Sequence, residues 1–488
     1  MTIPRPQRCM HATAALCAAV AACAQWNFEL DTTFRTQITQ QYVNSLAVLP
    51  TGELLLSGTM RFPGDMSDRL LAKVDQTGDR VLSFPFTYGG GKITPWADRF
   101  FVSVGQTIRR VHASGALDLS YHHMNSVPYV QSNTGGDYHV FPDGRVLVSG
   151  SHTLSDTQRG FVGSYELIWF TNTGYLDTTR IHRNANGPIW EFKELPDGKF
   201  ICFCSCSQYE GQPVSKLFRV HADGSLDTTF QPGVNWGNVY AFHSLPDGRV
   251  YAAGRFKRAV APNDTLFLAR FMPDGSLDPN FELPHLSAEW LPNPSSGALA
   301  TLLYSWFDGR VLVTGRFLSV NGHARSGIFM MDSTGLVLDA FDGCGVAPWT
   351  YQTFTYVSIE DIKAGGEDTL YICGAYVGFD DCTTNDTLQR FVSRLLVTGL
   401  TTGVPERVAP TLRLYPNPAS TGATMELEVV PPNAQLVLRD ALGREVAQQR
   451  ITDHYTTLDL HGLGSGMYHL ALFSYGAQMA SQRLVVQH

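Results

Sequence analysis

A short turn-and-strand unit recurs along most of the chain, and this repeat limits the possible folds more than any other feature. Each copy has a turn rich in Pro, Asp and Gly, then alternating apolar residues that usually end in Gly, as in Leu49–Gly58 and Phe141–Gly150. Such turns are tight, and the alternation predicts a strand with one buried face. The chain is therefore predicted to be an array of tandem strand pairs. Seven copies are present, two of them (98 and 368) weaker, with the last turn residue at positions 52, 98, 144, 198, 248, 309 and 368.

Each unit continues with a second apolar strand, a Gly turn and the pattern Leu-Asp-x-x-Phe. The clearest copies are Gly224–Phe230 and Gly275–Phe281, and degenerate copies follow the glycines at 78, 115, 174 and 335. We interpret the Leu and the aromatic residue as core anchors and the Asp as a turn cap that accepts hydrogen bonds from local amides. A calcium-binding ring of these aspartates is the alternative. It is disfavoured because each unit offers one carboxylate, whereas calcium takes six to eight oxygen ligands.

The two ends of the array complement each other. The second-half pattern stands alone at Leu30–Phe34, and the seventh unit ends near Leu396 without that pattern. A ring in which both ends of the chain complete one unit satisfies both observations, whereas a linear solenoid would need atypical capping units. Radial repetition of strand pairs is typical of β-propellers. The sequence therefore predicts an all-β fold with a seven-bladed β-propeller over residues 25–400.

The motifs of the repeat resemble those of a known family. Asp-Gly-Ser-Leu-Asp-x-x-Phe at Asp223–Phe230 and Asp274–Phe281, combined with Leu-Pro-Asp-Gly-Arg-Val at Leu245–Val250, is similar to the delta-60 repeat family of bacterial secreted β-propellers. The resemblance covers roughly Gln25 to Leu400. It implies a propeller fold, and it implies no common reaction.

The N-terminal region has the pattern of a secretory signal peptide. Two arginines precede the apolar stretch Cys9–Ala22, which is too short for a membrane span of about 20 residues, and Ala-Cys-Ala at 22–24 fits a cleavage site. We expect residues 1–24 to be removed by cleavage after Ala24. Lipidation of Cys23 within a lipoprotein-like box is the alternative. No later segment is long and apolar enough to suggest a transmembrane helix.

Charge and composition exclude two further classes of protein. The formal net charge is -8 and there is no basic run, so nucleic acid is not an expected partner. Hydrophobic residues make up 44% of the chain and charged residues 16%, which is the opposite of a disordered composition. These values indicate an ordered, strand-rich, exported protein.

The repeat stops near residue 400, and a different domain follows. Residues 401–411 are rich in Pro, Gly and Thr and are predicted to be a linker. Residues 412–488 show alternating strands around a predicted hairpin turn at Asp440–Gly443. The pattern predicts a small antiparallel β-sandwich of immunoglobulin-like type.

This region resembles the type A C-terminal sorting domain of the Bacteroidetes type IX secretion system. The matching motifs are Tyr415–Pro418, Asp440–Arg444, Leu463–Tyr468 and the basic-apolar ending Arg483–Val486, where Arg483 replaces the usual lysine. The resemblance implies Sec export and recognition of residues 412–488 by the type IX machinery. It also implies removal of the domain and release or attachment to surface lipopolysaccharide. An immunoglobulin-like adhesive module is the alternative.

The cysteines outside the predicted signal peptide do not form a disulfide scaffold. Cys202, Cys204 and Cys206 occupy alternate positions of a predicted strand and are interpreted as buried thiols, because a zinc site would need further ligands at the appropriate spacing. Cys344 and Cys382 lie in loop-like segments of neighbouring units and are candidates for a disulfide, although sequence alone does not decide the pairing.

No residue is predicted to be catalytic, cofactor-binding or metal-binding. The nucleophile-elbow, zinc-protease and complete phosphate-loop motifs are absent from the sequence. Gly89–Lys92 lacks the rest of a phosphate loop and is interpreted as a flexible inter-blade turn. His122 and His123 are adjacent in a predicted strand and would point to opposite faces. Gly254–Phe256 and Gly315–Phe317 are interpreted as repeat geometry.

Five segments vary most between units, and they join the same two strands in successive units. Because these connections should lie on one face of the propeller, and variable loops on a rigid scaffold often carry binding, they are the predicted ligand-binding region. A secreted or surface-displayed protein that binds a glycan, a protein or an envelope component is the favoured function. A propeller hydrolase or lyase with carboxylates or histidines converging at the central channel is the alternative. The five segments are Arg61–Arg69, Ser151–Gly163, Ser207–Ser215, Arg258–Thr265 and Asp380–Thr387.

Overall fold

The computed structural model describes most of the chain between residues 26 and 487. Every regular element within the described ranges is a β-strand, which confirms the all-β prediction. These ranges contain no helix of the length and apolarity that a membrane crossing requires. The predicted signal peptide and the predicted linker fall outside them. The described residues are 26–85, 88–122, 129–259, 264–288, 297–306, 309–351, 354–366, 368–381, 385–398, 412–427, 430, 434–440, 445–451, 453–474 and 477–487.

Seven main antiparallel sheets follow one another along the described residues between 27 and 398, after a separate first strand, β1 (Asn27–Leu30). The first three sheets consist of β2 (Gln40–Val48), β3 (Leu54–Arg61) and β4 (Arg69–Val74); β5 (Ile93–Trp96), β6 (Arg99–Val104) and β7 (Thr107–His112); and β8 (Val130–Val140), β9 (Val146–Asp156) and β10 (Phe161–Phe170).

The fourth and fifth sheets follow, and a small hairpin is inserted in the fourth. The fourth region contains β11 (Ile189–Glu194), β12 (Phe200–Cys204), the hairpin strands β13 (Gln208–Tyr209) and β14 (Gln212–Pro213), then β15 (Leu217–Val220) and β16 (Leu226–Asp227). The fifth sheet consists of β17 (Val234–Ser244), β18 (Val250–Arg258) and β19 (Leu266–Phe271).

The sixth and seventh sheets carry additional short strands beside them. The sixth region contains β20 (Leu286–Ser287), β21 (Leu299–Ser305), β22 (Val311–Arg316), β23 (Ser319–Val320), β24 (His323–Ala324) and β25 (Ile328–Met331), of which β21, β22 and β25 form the main sheet. The seventh contains β26 (Gly345–Val346), the hairpin β27 (Trp349–Tyr351) and β28 (Phe354–Tyr356), then β29 (Ser358–Ala364), β30 (Thr369–Asp380) and β31 (Asn385–Thr398).

The first strands of the seven main sheets form a closed ring. Within each sheet the first strand pairs with the second and the second with the third. The first strands β2, β5, β8, β11, β17, β21 and β29 contact one another in this order, and β29 contacts β2 again. Sheets arranged radially around such a ring are the architecture of a β-propeller.

The N-terminal strand closes the ring in the way the sequence predicts. Strand β1 pairs antiparallel with β31, with Asn27 opposite Thr398 and Leu30 opposite Leu395. Immediately after β1, Asp31 forms an ion pair with Arg394 of β31 (2.7 Å). Residues from both ends of the array therefore complete one sheet, and β31 is not left as an open edge.

A one-residue bulge recurs in six of the seven first strands, and it explains the glycine that follows the apolar run within the second strand. In β21 the bulge lies between Ala300 and Leu302, and Ala300 is opposite Gly315. A Cβ atom at Gly315 would lie 2.2 Å from the Leu299 carbonyl oxygen, closer than any side chain tolerates. The same close approach to a carbonyl oxygen, at 2.0–2.4 Å, occurs at Gly58, Gly150, Gly254 and Gly374.

Apolar side chains fill the space between neighbouring sheets. The largest buried cluster joins β1 to the fifth, sixth and seventh sheets. Within it, the ring of Phe28 stacks on that of Phe341 (centroids 4.5 Å apart) and meets Trp306 edge to face (5.4 Å). Burial of a side chain as large as Phe contributes about 1.5–3 kcal/mol, so the closing strand also supplies part of the core.

The C-terminal region folds around an apolar core of its own. Its strands form two antiparallel sheets, and buried side chains of both sheets, such as Met425 and Leu470, share one cluster. This arrangement is a β-sandwich, and its immunoglobulin-like type stays a prediction. The strands are β32 (Leu412–Tyr415), β33 (Gly422–Leu427), β34 (Ala434–Arg439), β35 (Glu445–Arg450), β36 (Tyr455–Asp459), β37 (Gly466–Ser474) and β38 (Ala477–Val486).

The cysteine prediction is partly wrong. Cys202 is a buried free thiol as expected, but Cys204 and Cys206 form a disulfide. Strand β12 ends at Cys204, so Cys206 does not continue the alternation, and the two Cα atoms lie only 5.2 Å apart. Cys344 is disulfide-bonded, and Cys382, its predicted partner, lies outside the described residues.

Candidate functional site

Polar side chains of the first strands connect neighbouring sheets at the centre of the ring. The Asp361 carboxylate, in β29, accepts hydrogen bonds from the Ser45 hydroxyl (Oδ2···Oγ 2.7 Å) and the Leu46 amide (3.1 Å), both in β2. The Ser45 hydroxyl in turn accepts the Ile93 amide of β5 at 3.1 Å. One buried carboxylate and one hydroxyl therefore bond the seventh, first and second sheets together.

Four charged side chains continue this network across the second, third and fourth sheets. Lys92 Nζ, directly before β5, lies 2.8 Å from Asp137 Oδ1 in β8. Burial and the neighbouring Asp137 raise the pKa of Glu191, in β11, well above its usual value. Burial and repulsion from Lys92 lower the pKa of Lys193, on the same strand as Glu191. These shifts favour the protonated form of Glu191, which lies beside the carboxylate that pairs with Lys92.

The four residues Lys92, Asp137, Glu191 and Lys193 are called the axial cluster here. Two neighbouring carboxyl groups, such as Asp137 and Glu191, are a common basis of general acid–base chemistry. Each member, however, also bonds or attracts a group of a neighbouring sheet, as a structural network does. The nearby histidine of β8 does not join the cluster, because His139 Nε2 faces Glu194 at 3.3 Å. Carboxyl groups of the seventh sheet also act on this centre, because Asp361 raises the pKa of both Lys92 and Glu360.

The predicted variable segments all begin at the same end of their sheets. In the fifth sheet, Val234 at the start of β17 is opposite Arg258 at the end of β18, where the variable segment begins. The same opposition of strand start and strand end recurs in the first sheet, between Gln40 and Arg61. We call this end of each sheet the loop end. It carries the start of the first strand and the connection that follows the second strand.

The variable segments contain more regular structure than the sequence suggests. The segment Ser151–Gly163 is mostly a long hairpin, since β9 extends to Asp156 and β10 starts at Phe161. The segment Ser207–Ser215 contains the hairpin β13–β14. Part of Arg258–Thr265 and part of Asp380–Thr387 lie outside the described residues.

Exposed aromatic side chains concentrate at or near the loop end. Eight Tyr, Trp or Phe side chains between residues 26 and 398 are more than a third exposed in the described structure, and seven of them lie in a first strand or just before it. Exposed aromatic groups are costly in water and mark interaction surfaces when they cluster. The seven are Tyr88, Tyr129, Trp190, Trp236, Tyr240, Tyr351 and Phe354, and the eighth is Tyr175.

Cavities are also found at the loop end. A cavity of about 530 Å³ lies between the fourth and fifth sheets and is lined by Ser207 and Ser215 of one variable segment and by Ala259 of another. A second cavity, of about 470 Å³, lies on the other side of the β13–β14 hairpin and is lined by Gln208 and Glu210. Two variable segments of neighbouring sheets therefore share one concave surface.

The other motifs singled out in the sequence have structural surroundings. His122 lies outside any strand and its ring packs on Tyr175 (centroids 4.3 Å apart), while His123 lies outside the described residues. The Gly89–Lys92 segment does join the second sheet to the first. It is closely packed rather than loose, since a Cβ atom at Gly89 would lie 2.4 Å from the Leu70 carbonyl oxygen. In the described part of the chain, no three His, Cys, Asp or Glu side chains are placed to hold a metal ion.

The aspartates of the second half-unit are turn caps, as predicted, and they have a further partner that sequence reasoning missed. Asp227 Oδ1 accepts the Thr229 amide at 3.0 Å, and Asp227 Oδ2 accepts Arg219 Nε at 2.8 Å. Arg219 Nη1 also donates to the Pro273 carbonyl of the next sheet at 2.9 Å. The other such pairs, at 2.7–2.8 Å, are Arg110–Asp118, Arg270–Asp278 and Arg394–Asp31.

A signal for these arginines is present in the sequence. Arg110, Arg219 and Arg270 each stand five residues before the glycine of the following turn. Such a fixed position within the unit indicates a repeated role. The position can be recognised only when the third strand is aligned between units together with the turn.

Two family models match parts of the chain. Residues 195–230 and 245–281 match a domain of unknown function (DUF5122) described as a beta-propeller, and residues 413–487 match the secretion system C-terminal sorting domain. No curated protein matches the sequence. The seven-blade count and the immunoglobulin-like type of the last domain are not tested by these matches and stay predictions.

Several solved structures are similar at low sequence identity. PorZ, a surface component of the type-IX secretion system of Porphyromonas gingivalis, aligns at 12% identity and a TM-score of 0.29, covering 91% of this chain and 81% of that one. A protein of unknown function from Bacteroides caccae aligns at 14% identity and a TM-score of 0.31, covering 59% of this chain and 92% of that one. The WD40 domain of Neurospora crassa Pan2 aligns at 8% identity and a TM-score of 0.37, covering 72% of this chain and 89% of that one.

Proposed function

We propose that this chain, which carries a β-propeller and a type IX secretion sorting domain, is an extracellular binding protein whose loop end takes up a glycan, a protein or an envelope component. The sorting domain directs export to the cell surface or the surroundings. Cleavage after Ala24, removal of residues 412–488 and the choice between release and attachment to lipopolysaccharide belong to the proposal.

The observation that carries the proposal is the concentration of exposed aromatic side chains at the loop end. Trp236 and Phe354 expose 48% and 59% of their surface, although they belong to different sheets, the fifth and the seventh. Tyr and Trp provide large, rigid contact areas and are enriched where proteins bind partners. A propeller that only spaced two other domains would have no need of such a surface.

The test is binding of the purified chain to whole cells of the producing bacterium and to its purified lipopolysaccharide. Combined replacement of Trp236 and Phe354 by Ala is expected to weaken binding at least tenfold, because hot-spot aromatic groups dominate interface energies. Tyr175→Ala, an exposed aromatic residue outside this surface, is the matched control. Equal binding by the parent chain and the double variant would contradict the proposal.

Export has its own test. Deletion of residues 413–487 is expected to keep the protein in the periplasm, on the inner side of the outer membrane. Mass spectrometry of the mature termini of the undeleted protein should find a start at residue 25. A mature protein that begins with a lipidated Cys23 and retains its last domain would instead support the lipoprotein alternative.

An extracellular hydrolase or lyase is the second candidate, and the axial cluster favours it. Glu191, whose pKa is raised by burial, would be the acid and its neighbour Asp137 the base of such an enzyme. Glu191→Gln should then abolish release of products from polysaccharides incubated with the protein while leaving ligand binding intact. Absence of any such release by the parent chain would remove this candidate.

A further inference from the structure

We infer that the cavity between the fourth and fifth sheets binds an acidic saccharide, with Trp190 as the stacking surface and Lys216 as the positive charge. The inference rests on the proposed binding function and specifies its ligand class and position. It follows from the size and lining of the cavity, from its charge, and from the fixed aromatic ring at its edge.

The size and lining of this cavity suit a hydroxyl-rich ligand. Its volume of about 530 Å³ falls within the roughly 300–1,000 Å³ of small-molecule sites. Asn186, Ser205, Ser207, Ser215 and Asn235 contribute amide and hydroxyl groups to its wall. Several of these groups already bond the protein, but their remaining lone pairs and protons can bond sugar hydroxyls, which an acyl chain does not have.

The charge of the cavity favours an anion. Lys216 is the one charged residue in the lining, and in the part of the chain that the structure describes no carboxylate pairs with its ammonium group. Because the whole chain carries a net charge of -8, a lysine without a carboxylate beside it in this wall favours an anionic ligand.

An aromatic ring is held at the edge of the cavity. The Trp190 side chain is 40% exposed, and its indole Nε1 donates a hydrogen bond at 2.8 Å to the hydroxyl of Ser205, which lines the cavity. A fixed indole face can pack against the apolar face of a sugar ring at little entropic cost, because its orientation is already set.

The wall beneath the ligand is also fixed in advance. Asn186 Oδ1 accepts the backbone amides of Ser207 (2.8 Å) and Gln208 (3.0 Å), and Asn186 Nδ2 donates to the Ser207 hydroxyl at 3.0 Å. The Cys204–Cys206 disulfide immediately precedes this hairpin. These bonds tie the base of the β13–β14 hairpin to the segment before β11, so the cavity exists without a ligand.

The test is isothermal titration of the full-length mature chain with an oligogalacturonide and with a neutral galacto-oligosaccharide of the same length. We expect binding of the acidic compound alone, about tenfold or more weaker in Trp190→Ala and in Lys216→Gln. Lys216→Arg and Trp190→Phe should retain most of the affinity, and Tyr175→Ala should retain all of it. Thermal unfolding of each variant separates loss of the site from loss of the fold.

The outcomes separate this inference from the function on which it rests. Equal affinity for the acidic and the neutral compound, or unchanged affinity in both the Trp190 and the Lys216 variants, would overturn the inference. Preference for an acidic phosphopeptide over the oligogalacturonide would overturn it as well. If the chain binds whole cells through Trp236 and Phe354 but does not bind the oligogalacturonide, the inference fails and the proposed function stands. Loss of both kinds of binding refutes both.

Discussion

At the scale of single residues, the Asp–Arg pair that recurs in four units links each of these units to the next. Asp227 is almost fully buried, and one of its oxygens caps the local turn while the other accepts the Arg219 guanidinium. Through its remaining nitrogens Arg219 reaches a carbonyl of the next sheet. Removing one charge of such a buried pair is costly, because the other charge is left without compensation.

Asp227→Asn is therefore expected to lower the free energy of unfolding by about 3–5 kcal/mol, although Asn keeps the shape and the turn-capping oxygen. The matched control is Asp197→Asn, in an exposed turn, which should change stability by about 0.5 kcal/mol or less. Urea denaturation of the two variants provides the comparison. Similar midpoints for both would mean that the ion pair contributes little.

The same carboxylates predict a loss of stability in acid. Although burial alone would raise the pKa of Asp118, hydrogen bonds from Ser120 and Arg110 outweigh it and lower the pKa to about 2, from an ordinary 3.8. A pKa lower in the folded than in the unfolded state adds stability above the unfolded pKa, and this stability disappears as the pH falls toward the folded pKa. Unfolding midpoints should therefore fall steeply between about pH 4 and pH 2. The unfolding midpoint of the Asp118→Asn variant should depend less steeply on pH in this range. An unchanged pH dependence would show that this carboxylate is not responsible.

At the scale of elements, the bulge in each first strand and the glycine opposite to it form one unit of structure. The bulge brings a carbonyl oxygen of the first strand toward the second strand, and only a residue without Cβ leaves room for it. It also shifts the alternation of side chains along each first strand, since Trp190, Tyr240 and Glu360 are the extra residues in their strands.

Gly315→Ala is expected to destabilise the protein by about 1–3 kcal/mol, because the added Cβ would lie 2.2 Å from the Leu299 carbonyl oxygen. Gly135→Ala is the control, since a Cβ atom there would meet its nearest neighbour at an ordinary 3.5 Å. Chemical denaturation of both variants tests the difference. Equal effects would show that the sheet adjusts to the extra atom.

At the scale of the whole molecule, stability depends on closure of the ring. Strand β1 pairs with β31, Asp31 bonds Arg394, and Phe28 packs on Phe341 of the sixth unit, so the N-terminal segment is held in the ring by three kinds of contact. The C-terminal sandwich has a separate apolar cluster that contains only its own residues. The two ends of the chain should therefore contribute very differently to the stability of the propeller.

Deletion of residues 26–34 is expected to lower the unfolding midpoint of the propeller and to promote aggregation, because it opens the ring and exposes the edge of β31. Deletion of residues 413–487 is the control and should leave that midpoint unchanged. Calorimetry combined with light scattering distinguishes the two effects. A propeller that is equally stable without its N-terminal strand would show that closure is not required.

The sequence alone was sufficient for the features that depend on neighbouring residues along the chain. The turns, the alternating strands, the capping role of the aspartates and the N-terminal segment that completes the last sheet could be predicted, because each follows from local turn chemistry and from the period of the repeat. The sorting domain was recognisable for a similar reason, since its motifs are short and occur in a fixed order.

Only the tertiary structure decided which side chains of different sheets meet. Lys92 and Asp137 pair although they are 45 positions apart, Glu191 lies still further along the chain, and neither carboxyl residue belongs to a recognisable motif. The Cys204–Cys206 bond likewise depends on where β12 ends. Such contacts follow from the closing of the ring and from the bulges that redirect the first strands, and these are properties of the folded chain as a whole.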